Sequence, residues 1–137
     1  MDQLTDPLYG KIILIIEDDP TLLRTLCHGF RVSGCQVLPA QDGEEGLAKF
    51  DRLRPDIVVT DILMPNREGV ETILTMKKRA PDVKILAISG GGVLGATTVL
   101  DLAHRLGADA VLTKPFRSGE VLDVVRRLIA PAASADD

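Results

Sequence analysis

The sequence predicts an α/β fold, a doubly wound parallel sheet of five strands with five helices distributed over its two faces. Three observations carry this. Apolar, β-branched runs at 11–16, 35–39, 56–60, 83–88 and 109–113 (β1 to β5) recur every 21–27 residues, with helically spaced stretches between them. That is the cadence of βα units. The runs are apolar throughout rather than alternating, as in strands covered on both faces. Finally, a charged signal follows three of the runs: Glu17-Asp18-Asp19 after β1, Asp61 after β3 and Lys114-Pro115 after β5. If these runs are neighbouring parallel strands, all three signals meet at the carboxyl edge of one sheet, where open α/β sheets bind ligands.

The helices have their own punctuation. Asp19-Pro20 places a capping residue before a proline at the first helical position of 20–33 (α1). Leu22, Leu23, Leu26 and Phe30 share one face of it, and Gly34 suits a left-handed cap at its end. Asp42 with Glu45 resembles a capping box opening 43–53 (α2), where Leu47, Phe50 and Leu53 follow. Val70, Ile73, Leu74 and Lys77 mark 70–77 (α3), and Thr98, Leu102 and Leu106 mark 98–106 (α4). Ser118 is placed to cap 119–129 (α5), with Val121, Leu122, Val125, Leu128 and Ile129 inward. The domain is expected over 10–130, with short mobile tails at 1–9 and 131–137 and no output domain.

With 137 residues the chain is one domain able to bury a core without staples. Its formal charge of −4 and 3% aromatic content argue against direct nucleic-acid binding, which wants a basic patch and stacking platforms. No apolar stretch approaches the roughly 18 residues of a membrane span, and no export signal opens the chain. Two cysteines, Cys27 and Cys35, read as small buried hydrophobes in a reduced, cytoplasmic protein. His28 and His104 read as helix-surface residues.

The charged signals suggest a chemistry. Three adjacent carboxylates repel one another, and a hard cation with oxygen ligands relieves that repulsion. Mg²⁺ suits such a place because it takes one or two carboxylates, keeps waters and shares phosphate oxygens. Asp19 reads as the helix cap, and the triplet taken alone also reads as a solvated acidic start to α1. Asp61, facing the triplet, could attack a phosphoryl group to give an acyl phosphate. Lys114 supplies a point charge for a phosphoryl oxygen, and Pro115 suits a fixed turn, with a cis bond plausible there. Ser89 ends β4 before Gly90-Gly91-Gly92, where a small hydroxyl could donate to the same group and glycine lets backbone approach closely. No Gly-Lys-Ser/Thr follows, so this is not a P-loop.

The combination resembles the receiver domain of two-component response regulators, of the stand-alone type. The motifs are Ile13-Leu14-Ile15-Ile16-Glu17-Asp18-Asp19-Pro20, Asp42-Gly43-Glu44-Glu45-Gly46-Leu47, Pro55 through Pro65 with Asp61 at its centre, Gly69, Ser89, Gly107-Ala108 and Lys114-Pro115-Phe116. They span about residues 10–130 in order. The resemblance implies a flavodoxin-like sheet of order 2-1-3-4-5. It makes Asp61 the phosphoacceptor, with Ser89 as the switch hydroxyl and Lys114 in contact with the phosphoryl group. Glu17, Asp18, Asp61 and the Leu63 carbonyl would hold Mg²⁺. The donor would be a phosphohistidine on a sensor histidine kinase or a histidine phosphotransfer protein. A downstream protein would read the α4-β5-α5 face, with a phosphorylation-linked homodimer as a further assembly. The chain would not be an enzyme beyond assisting its own phosphorylation and dephosphorylation.

One departure stands out. The family often carries an aromatic residue three positions before the lysine, and here that position is Val111. An aromatic rotamer switch therefore cannot operate, which leaves Ser89 and the glycine run to signal. Three other readings stand beside this one. An aspartyl-phosphate phosphatase of another fold would need Asp-x-Asp after its first strand. A flavodoxin-like cofactor binder would place a phosphate where Glu17-Asp18-Asp19 repels it. A receiver-like interaction module would work without phosphorylation.

Overall fold

The computed structural model describes residues 5–62, 68–90 and 105–130, with the side chain of Glu68 excepted. All five strands form one parallel sheet in the order β2-β1-β3-β4-β5. The strands are β1 Ile12–Ile16, β2 Gln36–Ala40, β3 Ile57–Asp61, β4 Lys84–Ser89 and β5 Ala110–Thr113, each within a residue or so of its apolar run. Four helices, not five, occur among the described residues: α1 Pro20–Val32, α2 Gly43–Leu53, α3 Glu68–Arg79 and α5 Ser118–Ile129. The expected α4 falls largely on 91–104, outside the described residues, with Arg105 and Leu106 helical at its end.

The uninterrupted apolar strands are explained by the layers. Ile13, Ile15, Ile57, Val59, Leu86 and Ile88 point to one face, where they meet Leu23, Leu26 and Phe30 of α1 and Val121 and Val125 of α5. Leu14, Ile16, Val58, Ile85 and Ala87 point to the other, against Phe50 of α2 and Ile73 and Met76 of α3. Successive residues of a strand face opposite ways, so a sheet covered twice must be apolar at every position. Of the residues that mark α3, Ile73 is buried while Leu74 is 46% exposed, and Met76, three residues after Ile73, takes the next buried place.

Asp19 caps α1, its Oδ1 accepting from the Thr21 and Leu22 amides at 3.0 and 3.5 Å. After Val32, Gly34 sits at φ +94° and the Cys35 amide donates to the Phe30 carbonyl, a left-handed helix stop that glycine adopts without strain. At α2, Asp42 Oδ1 accepts from the Glu45 amide at 2.8 Å. Glu45 reaches back to the Gln41 amide rather than to that of Asp42, so the expected box is displaced by one residue. Arg117, not Ser118, occupies the cap position of α5; Ser118 is the first helical residue, and Glu120 Oε1 accepts from the Arg117 amide at 3.0 Å.

The tail expected over 1–9 is partly anchored. Leu8 is fully buried in the α1–α5 layer, which is worth about 1.5–3 kcal/mol for a leucine. Asp6 accepts from Arg126 Nε and Nη2 at 3.0–3.2 Å and from the Leu8 amide at 3.0 Å. The guanidinium also donates to Ser33 Oγ, joining the N-terminal segment, α1 and α5. Burial pulls the Asp6 carboxyl up, but the hydrogen bonds and charge of Arg126 outweigh it and hold it below its ordinary value. No helix among the described residues is long and apolar enough to cross a membrane.

Candidate functional site

The parallel register brings the three charged signals to one edge. Glu17 follows β1 directly and its amide donates to the Ala40 carbonyl at the end of β2. Asp61 is the last residue of β3, and Ser89 and Thr113 are paired at the ends of β4 and β5. The Lys114 amide donates to the Ser89 carbonyl at 2.8 Å, and the Lys114-Pro115 bond is cis.

Within this edge Glu17, Asp18 and Asp61 each offer a carboxylate oxygen, all within 4.8 Å of one another. Glu17 and Asp61 are buried, while Asp18 is exposed. Lys114 Nζ donates to Asp61 Oδ2 at 3.0 Å and lies 3.5 Å from Glu17 Oε1. Asp19 stands apart: its side chain is occupied as the α1 cap, and its amide donates to Glu17 Oε2 at 3.0 Å. The cap reading of Asp19 therefore fits the structure, and the triplet divides into one buried carboxylate, one exposed carboxylate and one cap.

The electrostatics follow from that division. Burial pushes the Glu17 carboxyl up from 4.5 to about 7, the negative neighbours Asp18 and Asp61 adding to it and the Asp19 amide and Lys114 opposing it. Burial pulls the Lys114 ammonium down, but the hydrogen bond to Asp61 and the charges of Asp61 and Glu17 outweigh this, so its pKa lies above the ordinary lysine value. Glu17 Oε1 is buried and, apart from the looser ionic contact with Lys114, has no hydrogen-bond partner among the described residues. A buried carboxylate oxygen without a hydrogen bond is costly. Three converging oxygen donors with one such orphan fit a hard divalent cation, and Mg²⁺ among them.

Ser89 is fully buried, and among the described residues its hydroxyl makes a 3.4 Å contact to the Gly90 carbonyl. Val111 is partly buried against the α2–α3 layer. Leu63, and Gly91 and Gly92 of the glycine run, lie outside the described residues. Cys27 and Cys35 are free and buried, and burial raises both thiols, that of Cys35 to about 11, which keeps them protonated and unreactive.

Two residues that shape this edge are glycines whose reason is invisible in the chain. A Cβ on Gly69 would lie 2.4 Å from the Asp61 carbonyl oxygen and 2.8 Å from Ile62 Cα. The start of α3 thus packs directly on the backbone that carries Asp61. A Cβ on Gly46 would lie 2.4 Å from the Ile16 side chain, next to Glu17. Gly69 belongs to the motif that carries the family resemblance, but only the fold shows what it touches.

Known proteins share this arrangement. The family model described as "Response regulator receiver domain" matches residues 13–126. The chain is 33% identical over 116 residues to chemotaxis protein CheY of Listeria monocytogenes, covering 83% of this chain and 95% of that protein. It is 34% identical over 119 residues to transcriptional regulatory protein PrrA of Mycobacterium tuberculosis, covering 85% of this chain and 49% of the relative. The chain thus spans about half the length of the transcriptional regulators it matches. Among solved structures, the CheY-like receiver domain protein from Methanospirillum hungatei superposes with a TM-score of 0.78 at 27% identity, covering 88% of this chain and 94% of the other. A receiver domain protein from Clostridium thermocellum gives 0.77 at 28%, covering 87% and 94%. The sheet order, the acidic edge and the matched length agree on one assignment: this chain belongs to the response regulator receiver domain family, a family of two-component signalling domains.

Proposed function

We propose that Asp61 accepts a phosphoryl group from the phosphohistidine of a sensor histidine kinase or a histidine phosphotransfer protein. The modified domain then engages a downstream protein through its α4-β5-α5 face. The observation that carries this reading is the 3.0 Å contact of Lys114 with Asp61 inside a cluster of three carboxylates.

The chemistry is a displacement at phosphorus. An Asp61 carboxylate oxygen attacks; the O–P bond forms as the N–P bond to the donor imidazole breaks, and the imidazole nitrogen keeps the electron pair. Little covalent help is needed, so positioning and electrostatics dominate. Asp61 is held by the end of β3 and by the close packing of Gly69. Lys114 keeps its charge across the neutral range and is placed to pass from Asp61 Oδ2 to a phosphoryl oxygen. Ser89, one strand away, has a hydroxyl to donate to another. Glu17, Asp18 and Asp61, with the Leu63 carbonyl that the family likeness implies, would hold Mg²⁺, which supplies charge neutralisation for the transferring group.

Signalling is then a population shift. Moving two states from 1:99 to 99:1 takes about 5.5 kcal/mol, and one charge-assisted hydrogen bond gives about 1.5–3 kcal/mol. Ser89 alone falls short with no aromatic at Val111, so the partner's own binding energy completes the shift, whether that partner is a target or a second copy of the chain. The reading places the chain in the cytoplasm with its cysteines reduced.

The test is phosphoryl uptake from acetyl phosphate by this chain and by Asp61→Asn, with and without Mg²⁺, read by intact mass. One added phosphoryl group that needs both Mg²⁺ and Asp61 is expected. No uptake from acetyl phosphate or from a phosphorylated histidine phosphotransfer protein would overturn the reading and favour an interaction module that works unphosphorylated.

A further inference from the structure

A second charged feature lies one strand away from the carboxylates, on the far side of β1. A cavity of about 590 Å³ opens between α1, the end of β2 and the start of α2. Its floor is apolar, with Leu23, Cys27 and Ala40 buried. Its walls carry Arg24, His28 and Arg31 from α1, and Lys49 with Glu45 from α2. Positions 24, 28 and 31 are four and three residues apart, so they form one stripe about 10 Å long on the helix.

The charge balance is lopsided. Lys49 and Glu45 pair with each other at 3.1 Å and so cancel. Arg24 and Arg31 are exposed and have no ion pair or side-chain hydrogen bond among the described residues. Two uncommitted guanidinium groups therefore face one cavity in a chain of net charge −4. The local field runs against that of the whole molecule.

We propose that this cleft binds a small phosphorylated organic molecule. Arg24 and Arg31 would take the anionic group, and the apolar floor would take the body. Guanidinium forks match phosphate oxygens in pairs, and a cavity of this size with an apolar lining and a few convergent polar groups is of small-molecule dimensions. A peptide strand is the weaker occupant. β2 is an edge strand, but Pro39 has no N–H to offer and its carbonyl accepts from Lys49 Nζ, so strand addition is blocked at this position. The site is separate from the phosphoacceptor edge, although the Glu17 amide donates to Ala40 on its floor.

The experiment is an amide-resolved NMR titration of the intact chain, without Mg²⁺ and with chelator, using phenyl phosphate, inorganic phosphate and neutral benzyl alcohol. Saturable shifts centred on residues 24–31 and 39–49 are expected with phenyl phosphate, weaker ones with inorganic phosphate, and none that saturate with benzyl alcohol. The double variant Arg24→Gln/Arg31→Gln, at two exposed positions, should keep the spectrum of the fold and lose at least about tenfold in affinity. Non-saturating shifts, shifts confined to the Asp61 edge, an equal response to benzyl alcohol, or unchanged affinity in the double variant would each overturn the proposal.

Discussion

Replacing Glu17 with glutamine should stabilise the metal-free protein at alkaline pH. Glu17 is buried, and its carboxyl is pushed up from 4.5 to about 7. The folded state thus binds the proton more tightly than the unfolded chain does. Stability from this group is fully present below 4.5 and is lost as pH rises toward 7. At about 1.4 kcal/mol per unit, the ionised form costs about 3 kcal/mol above that window. Gln keeps an oxygen for the Asp19 amide, and the attraction of Lys114 is already part of the balance that sets the value of about 7. The gain is therefore about 3 kcal/mol. For a 137-residue chain that raises the melting temperature by about 10 °C at about pH 8, and by little near pH 5. Thermal unfolding of both proteins in chelator across this range reads it directly. Millimolar Mg²⁺ should then raise the melting temperature of the native chain by mass action and leave that of Glu17→Gln nearly unmoved. A native chain at least as stable as the variant at pH 8, or a gap that does not change with pH, would refute the reasoning.

Three further outcomes follow from named contacts. Asp6→Asn should cost about 1–3 kcal/mol at neutral pH by weakening the charge-assisted bonds to Arg126. Because the Asp6 carboxyl is held below its ordinary 3.8, that difference should fade only as pH falls through and below this value, which acid-range denaturation curves would show. Gly69→Ala should destabilise the fold by about 1–3 kcal/mol, since its Cβ meets backbone at 2.4 Å rather than a side chain that can turn away. It should also slow phosphoryl uptake, and an unchanged rate would separate Gly69 from the placement of Asp61. Asp18→Asn lies at an exposed position, so stability without metal should move by no more than about 0.5 kcal/mol, while calorimetric titration should show clearly weaker Mg²⁺ binding.

The sheet and most caps are readable in the chain because each has a local cause. Continuous β-branched runs mean strands covered twice, and Asp19-Pro20, Gly34 and Asp42 mark helix ends by chemistry that acts within four residues. What escapes the sequence depends on distant partners. Asp6 and Leu8 look like tail because nothing periodic surrounds them, yet Arg126, 120 residues away, fixes one and the α1–α5 layer buries the other. Arg54 ends α2 at φ +48° without being glycine, a conformation that Pro55 and Phe50 give no local warning of. Glu17 and Asp18 look equivalent as neighbours, whereas the strand direction buries the first and exposes the second. Asp109 offered no signal at all, but its carboxylate ties the Ile85 amide of β4 to Lys77 of α3.

The division between Glu17 and Asp18 bears on how the edge works. Three carboxylates and one ammonium sum to −2 when all are ionised. With its carboxyl raised to about 7, Glu17 is divided between its protonated and ionised forms near neutral pH, so the edge carries less than that full charge. Lys114 cannot offset three carboxylates, and it is already bonded to Asp61. One divalent cation matches the deficit. Proton and cation therefore compete for the same buried carboxylate, whose Oε1 has no hydrogen bond among the described residues. Cation affinity should then rise with pH through the region near 7, and any phosphoryl transfer that depends on the cation inherits that slope. The pH dependence would come from a metal-binding carboxylate rather than from the phosphoacceptor itself.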